Sequence, residues 1–143
     1  MSATADHAET NLAVRLGFQP DQVVQEIGYD DDVDQELREA IEEATGTELV
    51  DEDYDDVADA VVLWFREDDG DLTDALVDAL AYMEEGGSIL LLTPKTGRDG
   101  YVEPSEIGEA STTAGLSQTK SINAGKDWNG SRLITPKGAA KKR

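Results

Sequence analysis

Residues 57–65, VADAVVLWF, are apolar at every position except Asp59 and rich in β-branched and aromatic side chains. A half-buried strand alternates apolar with polar residues. This run does not, so it reads as a strand buried on both faces, as in a parallel sheet covered by helices. The residues after it supply such a helix. In DGDLTDALVDALAYMEEGG (69–87), Asp71 stands at the N-cap with Asp74 three positions on. Apolar residues fall at 72, 76, 80 and 83, and Gly86-Gly87 closes the pattern. SILLLT (88–93) then reads as a second buried strand, stopped by Pro94. Val61, Leu63, Ile89 and Leu91 are expected to point into the core from these two adjacent parallel strands.

Further along, Pro104 opens a helix running to Gly115, with Ile107, Ala110 and Ala114 as its apolar face. Gln118–Ala124 and Ser131–Pro136 alternate more like β and can pair as a hairpin. Asn129-Gly130 is a strong two-residue turn signal, while Gly125 allows a wider loop instead. Upstream, apolar residues at 33, 37, 40, 41 and 44 mark a helical face that Asp31 or Asp32 can cap and Gly46 can close. Gln22–Ile27 reads as a short strand ending at Gly28, Thr47–Val50 as a brief second one, and Ala13–Phe18 as a helical turn.

The order β-α-(β)-β-α-β-α-β-β predicts an α/β three-layer sandwich, a mostly parallel sheet with a C-terminal antiparallel hairpin. Residues 1–11 are expected to be a disordered lead-in, 12–137 a single domain and 138–143 a basic tail. There are no cysteines, which excludes disulfides, thiolate zinc sites and cysteine nucleophiles. The first ten residues lack the basic start and apolar stretch of a signal peptide, and no apolar run is long enough to span a membrane. A cytoplasmic protein is expected.

Charge is distributed unevenly. The chain carries 32 acidic and 12 basic side chains, for a net charge of −20. Up to Pro94 it holds 27 acids and only three bases, Arg15, Arg38 and Arg66; beyond it, 5 acids and 9 bases. Such an acidic body is ordinarily a solvated surface; its functional counterpart is a face for a basic partner.

VVQEIG (23–28) resembles the first strand and the start of the glycine motif in the class I S-adenosylmethionine methyltransferase fold. Glu26 and Gly28 match that motif, whereas Asp30 and Asp32 stand where its next glycines would be. Four separated stretches are more specific. LGFQPDQVVQEIGYDDDVDQELREAIEEATG, WFREDDGDLTDALVDAL, LLTPKTGRDGYVEPSEIGEA and AGLSQTKSINAGKDWNGSRL resemble the actinobacterial family called domain of unknown function 3052. The resemblance implies a degenerate Rossmann-like, methyltransferase-like domain in an actinobacterial cytoplasm, and brings no activity, substrate or catalytic residue.

Candidate sites follow from chemistry. Glycines in a cofactor loop let the backbone approach an anion and leave helix-start amides free. Asp30, Asp31 and Asp32 instead repel anions and can satisfy those amides themselves, so the loop reads as a cap. Asp30, Asp32 and Asp34 have the spacing of an EF-hand start, but Gln35 and Ile41 occupy the positions that need glycine and glutamate, which excludes that loop. No metal and no cofactor are expected.

Ligands of doubly wound sheets bind beyond the carboxyl ends of the parallel strands. There the loops 28–32, 66–71 and 94–100 should bring Asp68, Asp69 and Asp71 toward Lys95 and Arg98, as a ligand or partner surface or as loop salt bridges. Trp128 either anchors a partner from an exposed hairpin tip or packs across strands. The single histidine, His7, lies in the lead-in, and there is no Ser-His-Asp arrangement, nucleophile elbow or phosphate-binding lysine loop. Catalytic residues are therefore expected to be absent.

The reading is a non-enzymatic regulatory or protein-interaction domain with a protein partner. The alternative is an enzyme or small-ligand sensor that takes S-adenosylmethionine or a nucleotide in the strand-end crevice. A third reading is a nucleic-acid-associated protein acting through Lys120, Lys126, Arg132 and the tail Lys141-Lys142-Arg143.

Overall fold

Three parallel strands and an antiparallel pair form one five-stranded sheet in the computed structural model, which describes residues 16–124 and 126–135. In chain order the elements are β1 (Val24–Ile27), α1 (Gln35–Thr45), β2 (Ala58–Trp64), a 3-10 turn (Glu67–Asp69), α2 (Leu72–Leu80), β3 (Met83–Pro94), α3 (Pro104–Thr113), β4 (Ser117–Asn123) and β5 (Trp128–Ile134). The strand order is β1-β2-β3-β5-β4. β1, β2 and β3 run parallel, and β5 lies antiparallel between β3 and β4. His7, the expected lead-in and the expected tail lie outside the described residues.

The period of two along β2 sends its side chains to opposite faces, and both faces are covered. Ala60, Val62 and Trp64 pack with Val24, Leu90 and Leu92 beneath Leu37 and Ile41 of α1. Val61, Leu63 and Phe65 pack with Ile89 and Leu91 beneath Leu72 and Leu76 of α2 and Ile107 of α3. The register sets Val61 beside Ile89 and Leu63 beside Leu91, all four buried. This is the expected three-layer α/β architecture. Fully burying each of these side chains contributes roughly 1.5–3 kcal/mol.

Several local expectations are corrected. The N-cap of α1 is Asp34, whose Oδ1 accepts from Leu37 N at 2.9 Å, rather than Asp31 or Asp32. Asp32 is unavailable because its carboxylate is held by Arg66. Gly46 closes α1 as expected, in the left-handed region at φ 77°. Asp71 caps α2 as expected, but the helix ends at Leu80, and Met83 and Gly86-Gly87 belong to β3. Ala58 pairs with Met83 and Ala60 with Ser88, so β3 carries a wide bulge where a helix end was expected. Thr47–Val50 yields only one bridge, Gln25 to Val50.

The hairpin is also reset. Asn129 and Gly130 lie within β5, facing Asn123 and Ile122, so the two-residue turn is overturned and the wider connection, the stated alternative, joins β4 to β5. Gly130 is there for space. A Cβ on it would sit 3.2 Å from Ala124 Cβ and 3.3 Å from Leu90 Cδ1. No helix among the described residues is long and apolar enough to cross a membrane.

Candidate functional site at the strand ends

After β1 the chain runs through α1 on one face and reaches Val50, on the outer side of β1, before returning to β2. From β2 onward it progresses the other way, with α2 and α3 on the opposite face. The reversal falls between β1 and β2, so the ligand crevice of such a sheet should open beyond Ile27 and Trp64.

Arg66 fills it. Its Nη1 donates to Gly28 O at 2.8 Å and Trp64 O at 3.2 Å, the backbone oxygens on either side of the gap. Nε donates to Asp32 Oδ2 at 3.1 Å, and Nη2 to the other oxygen of that carboxylate. Asp69 adds a longer contact to Nη1 at 3.4 Å and accepts from Arg66 N at 2.9 Å. The side chain is 12% exposed, and its guanidinium lies 5.3 Å from the centroid of the Trp128 ring. The bidentate hydrogen bond from Arg66 holds the Asp32 carboxyl below the ordinary aspartate range. Burial disfavours charge on Arg66, but the hydrogen bond and charge of Asp32 outweigh it and raise the Arg66 pKa.

A second polar chain supports this one from below. Trp128 Nε1 donates to Asp32 O at 3.0 Å, and the indole meets Trp64 edge to face, centroids 4.9 Å apart. Trp64 Nε1 donates to the buried Glu26 at 2.9 Å, and Glu26 also takes Arg38 through Nε at 2.7 Å and Nη2 at 2.9 Å. That bidentate bond raises the Arg38 pKa. Gly28 N, the amide that a glycine loop would offer to an anion, donates to Glu52 Oε2 at 2.9 Å.

The expected site residues are only partly brought together. The 66–71 and 94–100 loops touch through Glu67 N, which donates to Gly100 O at 2.9 Å. Their charges do not converge as expected. Asp69 turns to Arg66, Asp71 caps α2, and Asp68 is exposed on the 3-10 turn. Lys95 N donates to Asp127 O at 3.0 Å, and Arg98 pairs with the Asp127 carboxylate at 3.2 Å, tying that loop to the hairpin. Trp128 is 2% exposed, which removes the exposed-anchor alternative and leaves the packing one. Among the described residues no group of three or more acids or histidines is placed to hold a metal.

Sequence reasoning missed the roles of Arg66, Arg38 and Glu52, and took Glu26 only as a match to the glycine motif. One signal pointed to two of them. Arg38 and Arg66 are two of only three bases in the first 94 residues, and Arg66 directly follows a buried strand.

Residues 13–137 match the family described as protein of unknown function (DUF3052). An uncharacterized protein found in Mycobacterium bovis and Mycobacterium tuberculosis is 55% identical over 139 residues, 97% of this chain and 87% of that protein. Among solved structures the fold is similar to methyltransferases. One from Pyrococcus furiosus gives a TM-score of 0.53 at 14% identity, covering 88% of this chain and 80% of that one. The magnesium protoporphyrin IX methyltransferase from Synechocystis, solved with S-adenosylmethionine bound, gives 0.54 at 12% identity, covering 91% and 80%. An S-adenosylmethionine-dependent methyltransferase from Aquifex aeolicus gives 0.53 at 15% identity, covering 90% and 89%. At these identities the likeness is one of fold.

Proposed function

The chain belongs to the DUF3052 family, and from its filled crevice we propose a non-enzymatic regulatory or protein-interaction role on a methyltransferase-like fold. One observation carries the reading: Arg66 occupies the gap between Gly28 and Trp64 and is itself held by Asp32. A ligand entering there must break a bidentate ion pair and displace a cation seated on an indole. The Gly28 amide, which a glycine loop would offer to an anion, is already taken by Glu52. Calorimetric titration with S-adenosylmethionine tests the proposal. No saturable heat is expected in the low micromolar range, and binding there would establish the rival reading, a ligand sensor or enzyme.

The proposed partner is a protein, met at the edge where the loop containing Lys95 and Arg98 adjoins the acidic 67–71 loop. The loops adjoin through Glu67 N and Gly100 O, and a partner spanning both would meet exposed Glu67 and Asp68 on one and Arg98 on the other, a mixed pattern that disfavours a uniformly charged partner. Replacing both cations, Lys95→Glu with Arg98→Glu, should abolish partner recovery from native extract while leaving the melting temperature within a few degrees. Recovery of the same proteins by that variant would place the contact elsewhere. The proposed compartment is the cytoplasm, in keeping with a cysteine-free acidic chain.

A further inference from the structure

The two edges of the sheet are treated differently. β1, at one end, is covered by the chain itself: Glu26 N donates to Val50 O at 2.8 Å, and Val50 N to Val24 O at 3.0 Å. β4, at the other end, pairs only with β5 among the described strands. Ser117, Gln118, Thr119 and Ser121 along it are exposed. An uncovered edge presents backbone donors and acceptors that another strand can take up. This one holds a single lysine, no proline and no acid, in a chain with 32 acids.

Its surroundings are basic. From 117 to 134 the chain carries Lys120, Lys126 and Arg132 against one acid, Asp127, which is already paired with Arg98. Lys120 and Arg132 stand opposite each other in the β4–β5 register, where like charges repel. Arg132 is in no ion pair among the described residues. Its guanidinium is held by packing and a hydroxyl instead. Nη1 donates to Thr119 Oγ1, on the edge strand, at 3.4 Å. The buried Nε has no acceptor, and a Cβ on Gly17 would lie 2.9 Å from it. A cation therefore reaches the sheet edge without a counter-charge. The acids of α3, Glu106 and Glu109, line a groove shared with the start of α2 and not this edge.

We propose that β4 is a docking edge for an extended acidic segment of a partner protein, added to the sheet as a further strand. Backbone pairing supplies affinity, and alternate side chains supply specificity. Carboxylates at every second position fall on one face of such a strand, level with Lys120 and Arg132. The lysine and the register break between Gln118 and Lys120 discourage indiscriminate pairing, which leaves a carboxylate-bearing strand favoured. A second copy of this chain fits less well, because self-pairing gathers two basic edges and two bodies of net negative charge. A nucleic acid would meet the same cations, but its phosphates bring no donors for the carbonyls of the edge. The docking edge uses Lys120 and Arg132, whereas the contact proposed above uses Lys95 and Arg98, so either can fail alone.

Titration of the full chain with a short peptide alternating threonine and aspartate, followed by amide NMR, tests the assignment. The peptide should bind saturably with a Kd on the order of 1 mM, and its shifts should centre on residues 117–122. A peptide alternating threonine and lysine should not bind. Nor should the aspartate peptide with every backbone nitrogen methylated, which keeps its charge but donates no hydrogen bond. Arg132→Gln should weaken binding about threefold, as the loss of one partly exposed ion pair allows. Lys120→Glu should reverse the preference between the aspartate and lysine peptides, and it serves as the readout if the first variant misfolds. Absence of shifts along β4 at millimolar peptide or equal binding of the methylated peptide would overturn the proposal. So would tighter binding of an oligothymidylate at the same residues, or a dimer of the parent, seen by sedimentation, that the aspartate peptide disperses.

Discussion

The Arg66 guanidinium bridges the ends of β1 and β2 by closing on the Asp32 carboxylate while donating to Gly28 O and Trp64 O. One side chain thus ties together the loop after the first strand, the loop after the second, and the Trp128 ring beneath them. The pair is stabilising only while Asp32 is ionised. Because Asp32 titrates lower when folded, its contribution is whole above the ordinary aspartate pKa of about 3.9. It is lost as the pH falls through that value toward the folded one. Asp32 is 47% exposed, so solvent screening limits the pair to roughly 1 kcal/mol or less. Asp32→Asn should therefore be slightly less stable than the parent at pH 7, and the gap should narrow as the pH falls below the ordinary aspartate value. Urea unfolding of both proteins across that range is the check; a gap independent of pH would mean the pair contributes nothing.

Glu26 sits deeper, and its loss should be felt more. Glu26→Ala would leave the Arg38 guanidinium and the Trp64 indole N–H without their carboxylate. Breaking a buried pair by removing one partner costs about 3–5 kcal/mol. Trp64 fluorescence should shift as its surroundings change. A variant within 1 kcal/mol of the parent would show that water replaces the carboxylate at little cost.

Gly28 and Gly46 both have positive φ, at 86° and 77°, but differ in space. A Cβ on Gly28 would lie 2.3 Å from Trp64 O, whereas one on Gly46 meets nothing within 4 Å. Gly46→Ala should cost roughly 1–2 kcal/mol, the left-handed penalty alone. Gly28→Ala should cost clearly more, since the β1–β2 ends must part. Equal destabilisation of the two in denaturant melts would refute the close approach.

Salt should stabilise the protein. At a net charge of −20 the folded surface repels itself, and raising sodium chloride from 50 to 500 mM shortens the range of that repulsion. A melting temperature higher by roughly 3–5 °C corresponds to about 1 kcal/mol of relief in a domain of this size. A flat or falling series would indicate that internal pairing already compensates the acids.

What could be read from the sequence was what short-range chemistry decides. The unalternating run at 57–65 required cover on both faces of its strand, although Val57, ahead of that strand, stays exposed, and the helical spacing from Val33 to Ala44 required a covering face. Asp71 and Gly46 act within a few residues of themselves, so their capping roles were legible too.

Tertiary structure alone decided where side chains distant in sequence meet. Asn129-Gly130 carries a turn signal, yet burial of Trp128 against Trp64 and the lack of room beside Leu90 draw both residues into a strand. Gly86-Gly87 resembles a helix stop, but pairing of Ala58 with Met83 pulls the segment into β3. Arg66 and Asp32 are 34 residues apart, and Trp128 lies 96 beyond Asp32. No local pattern encodes such pairings. They form because a charge or indole N–H taken from water at the sheet's end must find a partner among whatever the topology brings there.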